Sequence, residues 1–361
     1  MDAASDDRRF MEAALRLALT HLGRTSTNPS VGCLIVKDGE IVGRGVTAEG
    51  GRPHAEPQAL AEAGEKARGA TAYVTLEPCS HYGRTPPCAN AIVGAGVARV
   101  VISVLDPDPR VSGRGVKILE DAGIEVVTGV LEEEGRRALA AYLTRQIKKR
   151  PQVILKLAIS SDGMIGRRGE GQIAITGHQS REQVHLLRAA TDSILVGIGT
   201  ALADDPELTV RLPGLELYSP VRVVLDRNLD LPLTSKLVRS ARKVPVIAVA
   251  GEGSAESLQG RRAALEAEGV EVVEASDLEG LLFGLVSRGI SSVLVEGGAK
   301  TARAFLDAGL VDRILLFHGP GAIGSDGIVA PVDTDHIPEG FKHVRTAVFD
   351  ADRFDDYERG I

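Results

Sequence analysis

Three observations predict an α/β protein of two domains: a length beyond one ordinary core, apolar runs that alternate between helical and strand spacing, and a polar break near the middle. The chain has 361 residues, more than a single hydrophobic core usually supports. Hydrophobic residues make up 43% and charged residues 25%, with no tryptophan, a balance that suits α/β packing and excludes disorder. A net charge of -7 argues against a broad surface for nucleic acid, which needs clustered Lys and Arg. Any phosphate is therefore held locally. The opening residues MDAASDDRRF carry acids and no apolar signal core, and no stretch has the length and apolarity of a membrane span. A cytoplasmic protein without membrane or nucleic-acid partners is expected, with a homo-oligomer left open. Its 3 cysteines, in a reducing compartment, point to metal binding or catalysis more than to a disulfide framework.

The first element is a helix from Ser5 to Gly23, with Phe10, Ala14, Leu17, Ala18 and Leu22 on one face, Ser5 as N-cap and Gly23 as stop. VGCLIVKDGEIVGRG is a hairpin turning at Asp38 and Gly39. HAEPQALAEAG then gives a helix and TAYVTLE a strand. CANAIVGAGVARVVISVLD and GRGVKILEDAGIEVVTGV repeat that helix-strand unit, which predicts a mostly parallel sheet covered by helices. Gln146 to Pro151, QIKKRP, is polar and ends in a helix breaker. The domains are accordingly drawn as 1–148 and 149–361. Strand candidates in the second are QVILKLAIS, DSILVGIG, PVRVVLD, VPVIAVA, VEVVEA, SSVLVEGG and RILLFHG, with helices in SREQVHLLRAA and KTARAFLDAG.

The strongest chemical signal is His54-Ala55-Glu56 followed by Pro78-Cys79 and Pro87-Cys88. One imidazole and two thiolates leave zinc a fourth position for water, as catalytic sites require. H-x-E with two P-C elements is the pattern of zinc nucleobase deaminases, in which the Glu shuttles protons and is not a ligand. Zinc makes water nucleophilic near neutral pH, ready to attack a ring carbon bearing an exocyclic amine. Both cysteines follow proline at expected helix starts, where amides favour thiolates. In that pattern two residues separate the cysteines, whereas here SHYGRTPP intervenes. His81 in that loop is an alternative ligand or part of a pocket wall, and Arg84 suits a phosphate. Cys33, inside the apolar run VGCLIV, reads as a core residue.

The long loop TLEPCSHYGRTPPC, with NPSVGCLIV, PHAEPQALAEAG, DPDPRVSGRG, LKLAISSDG, LLRAATDSILVGIGT, DDPELTVR and LVEGG in that order, resembles the bifunctional deaminase-reductase family of riboflavin biosynthesis. The resemblance implies a cytidine-deaminase-like α/β/α domain followed by a dihydrofolate-reductase-like α/β domain. It also implies a phosphorylated pyrimidine substrate, 2,5-diamino-6-(5-phosphoribosylamino)pyrimidin-4-one, which loses its 2-amino group with Zn2+ and then has its ribosyl ring reduced to ribityl by NADPH. On that resemblance His54, Cys79 and Cys88 hold zinc, Glu56 is the acid/base, and Asn28 and Arg84 contact substrate. Ala158, Ala174, Thr200, Asp204 and the segment Gly298, Ala299, Lys300, Thr301, Ala302, Arg303, Ala304 match cofactor positions. Gly297 and Gly298 suit a close strand-to-helix turn whose free amides can take a pyrophosphate. Lys156, Gln172, Arg188, Leu208, Arg211 and Glu296 match substrate positions. Lys156 also stands out physically, because an unpaired ammonium in an apolar strand is costly.

Two departures from the family's pattern are visible. Thr47 stands where a His is common, and Gln172-Ile173-Ala174 where Ser-x-Trp is common. The second removes an aromatic wall beside the expected nicotinamide position, and Ile173 is the nearest side chain to fill it, so an indole restored at Ala174 is expected to clash. The loss also supports an alternative in which the back half binds a nucleotide without hydride transfer. Lys156, Asp204, Arg211 and Glu296, all retained, favour catalysis.

Overall fold

A computed structural model of the chain describes residues 3–82, 86–252 and 258–360. The chain forms two compact units, Met1–Lys148 and Lys149–Ile361.

The first unit begins with α1 (Ala3–Leu19), the hairpin β1 (Gly32–Lys37) and β2 (Glu40–Val46), and α2 (Ala55–Ala63). It continues through β3 (Thr71–Leu76), α3 (Cys88–Gly94), β4 (Arg99–Val104), α4 (Arg114–Asp121), β5 (Glu125–Thr128), α5 (Glu132–Ala138) and α6 (Ala140–Lys148). The sheet order is β2-β1-β3-β4-β5. Asp38 and Gly39 turn the hairpin with φ of 51° and 79°, the left-handed pair that matches strand twist in a two-residue loop. So tight a turn joins only antiparallel strands. β1 accordingly runs antiparallel to β2, and to β3 as well, while β3, β4 and β5 are parallel. The expected mostly parallel sheet is thus mixed.

Side chains alternate across β1. Cys33 and Ile35 enter a core with Ala55, Ala59 and Ile92, and Leu34 and Val36 enter another with Phe10, Met11 and Ala14. Cys33 is fully buried, as its apolar strand requires. Glycine lets α2 lie directly on β2: a Cβ at Gly43 or Gly45 would sit 2.1 or 2.0 Å from the Ala59 or Ala55 carbonyl oxygen. Three local expectations need correction. Ser5 lies inside α1 and does not cap it, and the helix ends at Leu19, before Gly23. The segment at Gln146 stays helical through Lys148, and the chain breaks direction at Lys149, with φ 56°.

The second unit contains β6 (Gln152–Ile159), β7 (Met164–Arg167), α7 (His178–Ala189), β8 (Ser193–Gly197), α8 (Ile198–Asp204), β9 (Val221–Leu225), α9 (Lys236–Arg239) and β10 (Val246–Gly251). Then follow α10 (Gln259–Ala267), β11 (Glu271–Ala275), α11 (Leu278–Ser287), β12 (Ser292–Val295), α12 (Ala299–Asp307), β13 (Arg313–His318), β14 (Gly327–Val329), β15 (Phe341–Phe349) and β16 (Asp352–Arg359). The main sheet has the order β11-β10-β9-β8-β12-β6-β13-β16-β15. Its strands are parallel from β11 to β13, and β16 is antiparallel to both β13 and β15. Leu155, Leu157 and Ile159 face one core and Ile154 the other. By the two-residue period, Lys156 and Ala158 share the face of Ile154, near the carboxyl end of β6.

β15 escapes the hydrophobic pattern because no position on it is buried, and β16 because three of its buried positions are Asp. Asp352, Asp355 and Asp356 are each at most 2% exposed. Asp356 accepts a two-pronged contact from Arg313, and Asp352 accepts hydrogen bonds from the Gly177 amide and the Ser180 hydroxyl. Such pairing makes burial of a charge tolerable.

Candidate active sites

In the first unit three short segments converge. His54 precedes α2, Cys79 lies in the loop after β3, and Cys88 opens α3. Cys79 is therefore not at a helix start as expected, yet its sulfur accepts a hydrogen bond from the Cys88 amide at 3.3 Å. His54 Nδ1 stands 3.8 Å from Cys79 Sγ and 3.4 Å from Cys88 Sγ. Among the described residues these three alone bring His, Cys or carboxylate donor atoms together in a group of three, all within 4.8 Å. One nitrogen and two sulfurs fit zinc's donor preference and leave a coordination position open. The Cys88 thiol hydrogen bond and the His54 imidazole outweigh burial at Cys79 and draw its thiol down to about 4, so a thiolate is favoured there.

Glu56, in the first turn of α2, is 4% exposed, and burial followed by the Cys79 charge pushes its carboxyl above the usual range. His54, Cys79 and Glu56 border a cavity of about 340 Å³ with Asn28, Thr47, His81, Asp106, Arg110 and Tyr142 on its walls, and Cys88 joins the donor group without lining it. Asn28 is thus in the pocket, and His81 lines it without joining the donor group. Arg84 lies outside the described residues. Thr47 is not vacant space: its hydroxyl accepts the Val31 amide at 3.0 Å and its carbonyl meets His21 Nδ1 at 2.7 Å.

The wall formed by Asp106 and Tyr142 escaped the sequence reading. The Tyr142 hydroxyl contacts the two Asp106 carboxylate oxygens at 2.9 and 3.1 Å. Glu77 is 3% exposed and accepts amide hydrogen bonds from Asp106, Gly113, Gly115 and Val116, which shapes the loop after β4. Repeated Asp-Pro in DPDPR was the available signal. Tyr142 had none, since α6 is distant in sequence.

In the second unit, Glu296 follows β12 and receives Arg188 from α7 in a fork, at 2.8 and 3.1 Å. Lys156 Nζ is 4.0 Å from the same carboxylate. All three side chains are 11–13% exposed, so neither a solvated helix face nor an exposed strand end describes them. Burial would raise the Glu296 carboxyl, but Arg188 and Lys156 outweigh it and hold it below its usual range. Burial lowers Lys156, with Glu296 only partly opposing. Arg188 also donates to the Thr209 carbonyl at 3.2 Å.

Thr200 ties α8 to the residue that precedes α12, its hydroxyl accepting the Gly298 amide at 3.1 Å. A Cβ at Gly197 or Gly297 would come within 2.5 or 2.7 Å of Thr301, so glycine permits the α8 and α12 starts to approach. Ala302 already donates to Gly298 within the helix, so the cradle of free amides narrows to the turn Ala299–Thr301, and Arg303 and Ala304 are exposed farther along. Asp204, half-buried at the end of α8, is raised by burial. Leu208 buries its side chain with φ 56°, a conformation that costs a bulky residue about 1–3 kcal/mol. Arg211 is exposed, pairs with Glu207 at 3.0 Å, and donates its amide to His185 Nδ1. Gln172 and Ala174 are exposed, and Ile173 is half-buried. Ala174 thus faces no filled pocket wall, which removes the basis for the expected clash. Gly319 approaches the Ile175 carbonyl and Gly171 the Ala203 carbonyl, which lays this loop near the ends of α8 and β13.

Residues 4–104 match the cytidine and deoxycytidylate deaminase zinc-binding region, and residues 151–352 match the RibD C-terminal domain. The riboflavin biosynthesis protein RibD of Aquifex aeolicus (strain VF5) is 40% identical over 338 residues, 93% of each chain. The chain belongs to the RibD family of riboflavin biosynthesis proteins. RibD of Escherichia coli (strain K12) is 43% identical over 331 residues, 89% of each chain. The solved diaminohydroxyphosphoribosylaminopyrimidine deaminase/5-amino-6-(5-phosphoribosylamino)uracil reductase of Thermotoga maritima superposes with a TM-score of 0.85 at 36% identity, over 99% of this chain and 100% of that one. As a RibD-family member the chain is a bifunctional deaminase and reductase of riboflavin biosynthesis, with zinc and NADPH as cofactors. A cytidine-deaminase-like domain precedes a dihydrofolate-reductase-like one, and the alternative of a non-catalytic back half finds no support. No described helix is long and apolar enough to cross a membrane.

Proposed function

We propose that residues 1–148 deaminate 2,5-diamino-6-(5-phosphoribosylamino)pyrimidin-4-one and residues 149–361 reduce the ribosyl group of the product to ribityl. The observation that carries this is the convergence of the His54, Cys79 and Cys88 donor atoms within 4.8 Å of one another, at the edge of a cavity that His54, Cys79 and buried Glu56 line. Those three residues would hold zinc, which when bound supplies Lewis acidity toward water. Glu56 accepts a proton from the attacking water and returns it to the departing 2-amino group, so that C–N is exchanged for C–O and ammonia leaves. Asn28 and Arg84 contact the substrate.

In the second unit, Ala158, Ala174, Thr200, Asp204 and Gly298 to Ala304 line the NADPH site, with the first-turn amides of α12 taking its phosphates. Lys156, Gln172, Arg188, Leu208, Arg211 and Glu296 line the ribosyl site. Leu208 acts through its backbone, since its side chain is in the core. Reduction delivers hydride to the sugar carbon and a proton to the opening ring oxygen, and Lys156 is placed to supply the proton. Free thiols at Cys33, Cys79 and Cys88 suit a reducing cytoplasm.

The test is mass spectrometry of products from the diamino substrate. Ammonia release without NADPH, then one NADPH oxidised per ribityl product, is expected. Absence of ammonia release by zinc-loaded protein would sink the proposal.

A further inference from the structure

Arg222, on β9, is 0% exposed, and no carboxylate pairs with it among the described residues. Its guanidinium donates instead to the Glu207 carbonyl at 3.2 Å, to the Ser240 hydroxyl at 2.7 Å and to the Val244 carbonyl. A buried cation whose acceptors are all neutral and whose Nε has no hydrogen-bond partner is costly, and burial lowers it to about 10. Leucine would not by itself adopt the left-handed φ of 56° at position 208. The residues on either side of it are held by the same kind of bond: Arg222 grips the Glu207 carbonyl and Arg188 the Thr209 carbonyl. Arg188 is in turn clamped by Glu296, which faces Lys156. Two separate costs, an unpaired buried charge and a strained leucine, thus meet at one short segment. Persistent strain at a bulky residue points to a position whose geometry is used.

We infer that Arg222 is a positioning residue for the reduction step, gripping the Glu207 carbonyl so that the strained backbone at Leu208 stays set against the Arg188–Glu296–Lys156 cluster. The inference rests on the proposal that this loop borders the ribosyl substrate. Peptide planarity adds the mechanism: with the Glu207 carbonyl turned toward Arg222, the Leu208 amide must point the opposite way.

Arg222→Met and Arg222→Lys test this in the full chain, with Tm and the KM for NADPH, which report on the second unit, as the controls for folded protein. A KM for the deaminated substrate raised about tenfold in Arg222→Met, with kcat and the KM for NADPH changed by less than about threefold, is expected from loss of one charge-assisted contact acting through the loop. Arg222→Lys, which keeps the charge but not the fork, should fall between the two and decides the matter if Arg222→Met does not fold. A lowered Tm with unchanged KM in either variant would reduce Arg222 to a packing role and overturn the inference. Arg211→Ala separates the layers: a raised KM there with none in the Arg222 variants refutes Arg222 alone, whereas unchanged KM in all three also refutes the loop as substrate site.

Discussion

Glu56 illustrates how a single position can be tested apart from its surroundings, because an amide keeps its shape while losing proton transfer. Glu56→Gln should retain zinc and lose about 10²–10⁴ in deamination rate, with NADPH oxidation on supplied deaminated substrate preserved. Wild-type ammonia release by this variant would refute the proton-shuttle role. Cys88→Ser exchanges a thiolate for a hydroxyl that zinc binds poorly, so metal content by mass spectrometry should fall well below one per chain. Full occupancy would move the ligand role to another side chain, such as His81. Residue types announced this chemistry in the sequence, since imidazole, two thiolates and a nearby carboxylate have few joint uses. Glu77 and Tyr142 carried no such mark: a carboxylate that accepts four amides and a phenol that meets Asp106 look like any others until the chain is folded.

Among the elements, α2 carries both His54 at its start and Glu56 in its first turn, so its seat on β2 sets the geometry of the proposed metal site. Gly45→Ala would drive a Cβ to 2.0 Å from the Ala55 carbonyl and lift that end of the helix. A stability loss of about 1–3 kcal/mol, together with weaker zinc retention, is expected from such overpacking. Thermal melts and zinc titration read the two effects, and an unchanged zinc affinity would uncouple the helix seat from the metal site. α1 is fastened differently, by the Asp7 carboxylate, which accepts Arg99 at 2.7 and 2.8 Å and the Tyr73 hydroxyl at 2.9 Å. The Arg99 hydrogen bond holds Asp7 below its usual pKa of 3.8. A carboxyl depressed by folding contributes stability at neutral pH that is lost as pH falls through the folded value. Acid unfolding followed by circular dichroism should therefore lose this contribution below about pH 4, and Asp7→Asn should flatten that limb. An identical acid transition in the variant would show that the tether contributes nothing.

For the whole molecule, the two chemistries should separate cleanly, because the proposed zinc ligands His54, Cys79 and Cys88 and the Lys156–Glu296 cluster belong to different units. Treatment with a zinc chelator should stop ammonia release and leave NADPH-dependent reduction of supplied deaminated substrate near its full rate, with zinc restoring the first activity. Equal loss of both would mean that zinc supports more than deamination. The sequence by itself determined the strands up to β13 other than β7, the helices α1 to α4, α7 and α12, the candidate donors His54, Cys79 and Cys88, and the family, since periodicity and ordered motifs are local properties of the chain. Tertiary structure decided the rest: the antiparallel placement of β1, the charged strands β15 and β16, and the bracketing of Leu208 by Arg222 and Arg188. The reason is that burial of Asp352 or Asp356 becomes tolerable only when partners far away in the chain, Ser180 and Arg313, supply the hydrogen bonds, and no local pattern encodes where those partners will be.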